Sequence, residues 1–367
     1  MTGKTRANAS NAAESDHKGQ MIRASIIIVN YKTLDYLQAC LTSLQPTITS
    51  FDEVIVVDND SQDECGELLP VKFPWVTLIL SNENLGIGGG NNLGAMNAQG
   101  EVLAFINPDT IVTNGWLDKL IAALESKTDA GLVTSKIFLT KTPDRINTCG
   151  NDMHMSGLTL CRGMNEPSSN FPNREIISAV SGAAFVIRKH LFDKLGGFDE
   201  TFFIYMEDAD LSLRARLAGF TCIYEPDSII HHDYTLTFGP NKTFYQERNR
   251  YMMLLKNFHF STLFLLLPIL LLAELVSWGF VLLKDRSRWK NKFRAFGWIV
   301  RNWKVIMSNR AEVQGLRKIS DRKLLKDHTY KLDFGQVGSE LVSASAHLIF
   351  DTLFFVLKKL ISLIVWR

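Results

Sequence analysis

Ser25-Ile26-Ile27-Ile28-Val29-Asn30-Tyr31 is a β-branched apolar run that stops abruptly at an amide. Such a run predicts a strand, and the same grammar repeats outward from it. A helical pattern from Leu34 carries Leu37, Leu41 and Leu44 on one face, and further strand-like runs lie at 54–57, 76–80 and 102–106. Helices are expected near 91–98 and after Gly115. This β-α-β-α order predicts an α/β fold with a doubly wound parallel sheet. Ligands of such sheets sit beyond the carboxyl ends of the strands. Here four of those ends are polar: Asn30-Tyr31, Asp58-Asn59-Asp60-Ser61, Asn82-Glu83-Asn84 and Asn107-Pro108-Asp109.

The rest of the chain sets the bounds on function. Of 367 residues, 46% are hydrophobic and 21% charged, with a formal net charge of +2, a composition that excludes a disordered chain and a global basic field for nucleic acid. Five cysteines (Cys40, Cys65, Cys149, Cys161, Cys222) show no C-x-x-C spacing, and the N-terminus has no apolar signal segment, so a reducing, cytosolic setting without structural zinc or disulfides is expected. Residues 1–21 are polar and aperiodic and read as a disordered tail. The charge is strongly segregated: residues 284–326 hold 14 Lys and Arg against three acids. Residues 135–176 show no sustained period. An ordered block then resumes with a strand at 183–187, a Gly196-Gly197 turn, an aromatic stretch Phe202-Phe203-Ile204-Tyr205 and a helix over 208–218 ended by Gly219. A boundary is expected near residue 256.

Four stretches carry candidate chemistry. Asn84 to Asn92 includes Gly86, Gly88, Gly89 and Gly90, and small residues before a helix suit a phosphate. It is no dinucleotide fingerprint, because Asn91 stands at the third glycine position and the acidic strand end Asp58 precedes the loop. Asp109, delivered by a hydrophobic strand behind Pro108, can ligate Mg²⁺ or Mn²⁺ if a diphosphate supplies other oxygens. Glu207-Asp208-Ala209-Asp210 opens a helix behind aromatic residues, where a carboxylate can be tuned as a general base. His231-His232 ends another strand; adjacent side chains there point to opposite faces, so only one imidazole can join Asp109.

Taken in order, these segments, with Gly182-Ala183-Ala184, Gly196-Gly197-Phe198-Asp199-Glu200, Tyr205-x-Glu207-Asp208-x-Asp210-Leu211 and Arg248-Asn249-Arg250, closely resemble glycosyltransferase family 2 over roughly residues 24–256. The nearest branch is similar to bacterial rhamnosyltransferases of cell-surface polysaccharide assembly. The resemblance implies a GT-A catalytic domain over 22–256, with a nucleotide-sugar half (about 22–134) and an acceptor half (about 135–256). Asp58 would bind the pyrimidine beside Asn30 and Asn84, and Asn59, Gly86, Asn91 and Asn107 would complete the donor site. Asp109 falls at the last position of the family's DxD-type metal motif, Asp208 with Glu207 at its general base, and His232 where many members place a further metal ligand. The sequence departs there, since His232-Asp233-Tyr234-Thr235 replaces a more glycine- and serine-rich continuation. The implied reaction is inverting and metal-dependent. dTDP-rhamnose is the expected donor, with a UDP-hexose or UDP-galactofuranose as alternatives, and the acceptor a polyprenyl-diphosphate-linked saccharide or a glycan. A catalytically silent scaffold would not require a base and a metal ligand together. A processive synthase would need several spanning helices and a Q-x-x-R-W-type motif, which the sequence lacks.

Residues 257–367 are expected to associate with the cytoplasmic face of the inner membrane. The 21-residue apolar run 263–283 would reach ~31 Å as a helix. Glu274, Pro268 and the basic segment after it argue against a simple crossing and for an in-plane or re-entrant arrangement on anionic lipid. The stretch 348–366 carries Asp351, Thr352, Lys358, Lys359 and Ser362 along one stripe and is otherwise apolar, the pattern of an interfacial helix. The competing expectation is a homo-oligomer formed through this region.

Overall fold

The computed structural model describes residues 21–234, 239–284, 286–333 and 347–365. All of the expected tail except Met21 lies outside them. In chain order the strands are β1 (Ala24–Asn30), β2 (Asp52–Asp58), β3 (Val76–Leu80), β4 (Val102–Ile106), β5 (Thr110–Val112), β6 (Ala130–Leu139), β7 (Ile146–Thr148), β8 (Asn151–Met153), β9 (Thr159–Cys161), β10 (Glu175–Ile177), β11 (Ala184–Arg188) and β12 (Thr221–His232). The helices are α1 (Leu34–Leu44), α2 (Cys65–Lys72), α3 (Gly86–Asn97), α4 (Trp116–Glu125), α5 (Lys189–Lys194), α6 (Glu207–Leu217), α7 (Lys242–Asn257), α8 (Phe260–Lys284), α9 (Lys290–Arg301), α10 (Trp303–Gly315), α11 (Asp321–Leu325) and α12 (Thr352–Val365).

The main sheet runs β10-β12-β6-β11-β4-β1-β2-β3. β4, β1, β2 and β3 pair in parallel, as do β6 and β12, while β11 is inserted antiparallel between β4 and β6. The unbroken apolar run of β1 follows from burial on both faces. Ile26 and Ile28 join a core with Leu37 and Leu41 of α1, and Ile27 and Val29 join a second core with Ala95 of α3. β12 follows β6 along its length but jumps register between Glu225, opposite Ser135, and Ile229, opposite Lys136.

Two sequence expectations change here. The glycine-rich stretch is not a loop before a helix that starts near 91; it is the first turn of α3, which begins at Gly86. Its later glycines serve packing: a Cβ on Gly90 would stand 2.8 Å from Val29 Cγ1 and one on Gly94 2.5 Å from Ile27 Cγ2, so only bare backbone lets α3 lie this close to β1. The aperiodic stretch 135–176 holds the end of β6, all of β7, β8 and β9 and the start of β10, and each strand after β6 is three residues long, too short to show a period.

A third apolar cluster joins the two parts of the chain. Phe202, Ala209 and Leu213 pack in it with Leu254 and Phe258, and with Leu266, Ile299, Leu324 and Phe354 from the segment beyond 256.

Candidate active site

At the ends of β1 and β2, Asn30 is fully buried and its Nδ2 donates to Asp58 Oδ1 (2.9 Å) and to Ser61 Oγ (3.0 Å). Asn59 braces the next loop, donating to Asn84 Oδ1 (3.1 Å) and the Gly86 carbonyl (3.0 Å) and accepting from the Leu85 N–H (2.9 Å). Asn84 Oδ1 also accepts from the Gly86 N–H (2.9 Å). Gly86 has φ +73°, and a Cβ there would collide with the Phe203 carbonyl oxygen. The next N–H, that of Ile87, donates to this same carbonyl (2.7 Å). The structure thus joins Asn30, Asp58, Asn59, Asn84 and Gly86 in one network and ties it to the aromatic loop. Asn91 lies buried one turn further along α3.

Beyond β4, the Asn107 N–H donates to the Ala183 carbonyl (3.0 Å), and the Gly182 N–H donates to Asp208 Oδ2 (2.7 Å). Two hydrogen bonds therefore link the strand end that carries Asp109 to the Asp208 carboxylate. Asp208 also accepts from Asn151 Nδ2 (3.2 Å) and the Ala209 N–H (2.8 Å). Burial pushes its carboxyl up, against the pull of the Gly182 and Ala209 N–H groups and the Asn151 amide. Glu207 has no such support: its Oε2 is buried without a hydrogen-bond partner among the described residues. Burial first, and the Asp208 charge second, push the Glu207 carboxyl up to about 8. Asp210 is fully buried and turned away, paired with Arg214 (2.8 Å) and Lys256 (3.1 Å).

His232 sits with Nε2 3.1 Å from Asp109 Oδ1 and Nδ1 2.9 Å from Asn147 Oδ1. The Asn147 carbonyl oxygen selects the tautomer with hydrogen on Nδ1, which leaves the Nε2 lone pair facing a carboxylate. Two acceptors this close need a proton or a cation between them. Adjacent ligands of an octahedral Mg²⁺, each ~2.1 Å from the ion, lie ~3.0 Å apart, so the observed pair fits a divalent cation. Asp58, Asp63 and Cys65 also converge, their ligand atoms within 4.8 Å of one another, and burial first and the carboxylates next push the Cys65 thiol up to about 12. His231 faces away, its ring 5.8 Å from that of Phe138.

Several residues here gave no sequence signal. Asn147 and Asn151 lie in the stretch without a period. Arg248 and Asn249 stood out only as a motif, and the structure shows their contacts. Asn249 Nδ2 donates to the carbonyls of Phe202 (3.0 Å), Ile204 (2.9 Å) and Tyr205 (2.7 Å), and Arg248 Nη2 to those of Thr201 (2.6 Å) and Phe202 (2.7 Å). The gripped loop holds Phe203, Tyr205 and Met206 at φ +63°, +69° and +68°, a left-handed conformation that costs a non-glycine residue about 1–3 kcal/mol.

The sheet order, with an antiparallel strand inserted beside the parallel half, is that of the GT-A fold. Residues 25–196 match the family model described as glycosyl transferase family 2. The chain is 27% identical over 233 residues, covering 56% of itself and 75% of the relative, to an N-acetylglucosaminyl-diphospho-decaprenol L-rhamnosyltransferase of Mycobacterium tuberculosis. It is 26% identical over 247 residues, 62% of itself and 88% of the relative, to the rhamnosyltransferase WbbL of Escherichia coli. Among solved structures it resembles that of GalNAc-T7 with UDP, GalNAc and Mn²⁺, at TM-score 0.54 and 18% identity over 64% of this chain; it spans about half, 48%, of that protein. Residues 25–196, a little under half of the chain, thus match glycosyltransferase family 2, and both of these relatives are rhamnosyltransferases.

Proposed function

We propose that the protein is an inverting glycosyltransferase that moves rhamnose from dTDP-rhamnose to a lipid-linked or cell-surface glycan acceptor at the cytoplasmic face of the membrane. The supporting observation is the Asp208 carboxylate, half-buried at the first turn of α6, anchored by three donors and two hydrogen bonds from the Asp109 strand end. Asp208 takes the proton of the acceptor hydroxyl as its oxygen attacks the anomeric carbon, and the bond to the nucleotide diphosphate breaks on the opposite face. With one base and no second carboxylate nucleophile among the described residues, the displacement is direct. Asp58 and Asn30 bind the pyrimidine, and the loop braced by Asn59 and Asn84 closes over the donor. Asp109 and His232 would hold Mg²⁺ or Mn²⁺, which when bound neutralises the charge growing on the departing diphosphate. Residues 22–256 form the catalytic domain in this reading. The rhamnosyl donor follows the relatives' names.

Asp208→Asn should lower kcat by at least ~10²-fold while donor affinity, read by calorimetry, stays unchanged. Near-normal turnover would move the base to Glu207. Asp109→Ala should weaken donor binding in Mg²⁺ or Mn²⁺; a wild-type affinity that is equal with metal and with EDTA would remove the cation from the site. A donor screen scoring nucleotide-diphosphate release decides among dTDP-rhamnose, UDP-hexoses and UDP-galactofuranose.

A further inference from the structure

Two C-terminal helices are built inside out. In α8, Glu274 and Ser277 point inward: Glu274 meets Arg250 and Lys292 (2.9 Å) and accepts from the Tyr251 hydroxyl (2.5 Å), while the Ser277 hydroxyl donates to Glu247 Oε1 (2.5 Å). The outward stripe of the same helix is apolar, with Phe264 74%, Leu271 62% and Leu275 64% exposed. In α12 and the turn before it, Lys358 Nζ donates to the His328 carbonyl (3.0 Å) and Asp351 Oδ1 accepts from the Leu332 N–H (3.2 Å), both on the protein side. Leu348, Leu353, Phe355, Val356 and Leu360 are exposed. α12 packs against α8, and Phe293 of α9 continues the face through its contact with Trp278 (5.3 Å). A helix whose polar residues face its own protein and whose apolar ones face out suits a hydrocarbon surrounding.

We infer that α8, α12 and the outer side of α9 form one face that beds into a single leaflet of an anionic bilayer, and that α8 does not cross it. By length and composition α8 could span. What prevents a crossing is the inward stripe: drawing α8 through the bilayer would pull Glu274 away from Arg250 and Lys292 and leave buried charges unpaired on both sides. The occupant is lipid rather than a second copy because of the charges beside the face. Lys290, Arg294, Arg301 and Lys304 are exposed on α9 and α10 next to the exposed Trp289 and Trp303, the pairing of cations and indoles that suits an anionic headgroup layer. A self-association face lined by this many like charges would repel its copy.

The full chain should float with vesicles of phosphatidylcholine mixed with phosphatidylglycerol, bind phosphatidylcholine alone less, and weaken as salt shortens the screening length from about 10 Å to about 3 Å. Substituting Leu271→Glu together with Leu275→Glu, both outward-facing, should lower the partition coefficient at least about tenfold. Retained donor binding by calorimetry shows that this variant is folded. To read topology, Ser261→Cys in the first turn of α8 and Ser287→Cys beyond its end mark the two ends at exposed positions. An impermeant maleimide added to sealed vesicles should label both from the side on which the protein was added. Protection of one end until the vesicles are lysed would show a crossing and overturn the inference. So would unchanged binding of the double variant, or a vesicle-indifferent oligomer that this variant splits. Vesicle binding needs neither donor nor acceptor, so its failure and that of the proposed reaction are separate results.

Discussion

Glu207 and Asp208 share one helical turn, yet their surroundings treat them differently. Three donors converge on Asp208 and none reaches Glu207 Oε2, so Glu207 is the carboxyl that keeps a proton at neutral pH. Its folded value of about 8 stands above the ordinary ~4.3 of the unfolded chain. Between these limits the folded protein holds a proton that the unfolded chain has lost, so stability falls as pH rises through the window, by at most about 1.4 kcal/mol per pH unit. Glu207→Gln removes that titration. Thermal unfolding from pH 5 to 9 should show a flatter slope for the variant, with the two proteins converging at the acid end; equal slopes would mean that Glu207 is ionised in the fold.

At the scale of elements, α7 holds the loop before α6 in place. Beside the Ile87 N–H on the Phe203 carbonyl, Asn249 and Arg248 hold the strain at Phe203, Tyr205 and Met206 through five carbonyl contacts on residues 201–205. Asn249→Ala takes the amide donor from the part-buried Ile204 and Tyr205 carbonyls, a cost of about 1–3 kcal/mol, while Arg248 still reaches that of Phe202. The loop then relaxes toward right-handed angles, and the turn carrying Asp208 shifts with it. Transfer to the acceptor should fall at least about tenfold while the slow hydrolysis of the donor and its affinity stay near normal, because misplacing the base penalises an oriented acceptor more than water. Asn249→Asp, which keeps the shape but not the donor hydrogens, should behave like Ala. Equal losses of transfer and hydrolysis would show a general structural role. None of this was legible in Arg248-Asn249-Arg250 as letters, since the partners are backbone carbonyls more than 40 residues away. The strands were legible for the opposite reason: 76–80 and 102–106 match β3 and β4 residue for residue, because apolar β-branched runs mark strands without help from distant partners. α2 was missed, since Pro70 inside it reads as a breaker.

Across the whole molecule, Glu247, Arg250, Glu274 and Lys292 tie α7, α8 and α9 together away from water. Lys292 is fully buried, and burial alone would push Glu247 up, but Arg250 and Lys292 outweigh it and hold that carboxyl at about 2. Lys292→Met removes a partner from this cluster and should destabilise the fold by about 3–5 kcal/mol, seen as a lower urea midpoint with an unchanged slope. An unmoved midpoint would mean that water screens the group. The sequence marked a boundary near 256 from composition, but composition could not show that Glu274, which looked like a flaw in an apolar helix, is the residue that docks it. The sequence likewise put His232 and Asp109 each at a strand end, and the family resemblance joined them at one metal, while the strand pairing places them side by side and turns His231 away. The register jump in β12 bears on that placement. Residues 226–228 have no counterpart on β6, so they act as slack: adding or removing a residue there changes the length of a blister and leaves Ile229 opposite Lys136 and His232 opposite Leu139. From Ile229 onward no slack remains, and with Ile229 still opposite Lys136 a single deletion before His232 would seat Asp233 opposite Leu139, exchanging an imidazole for a second carboxylate beside Asp109.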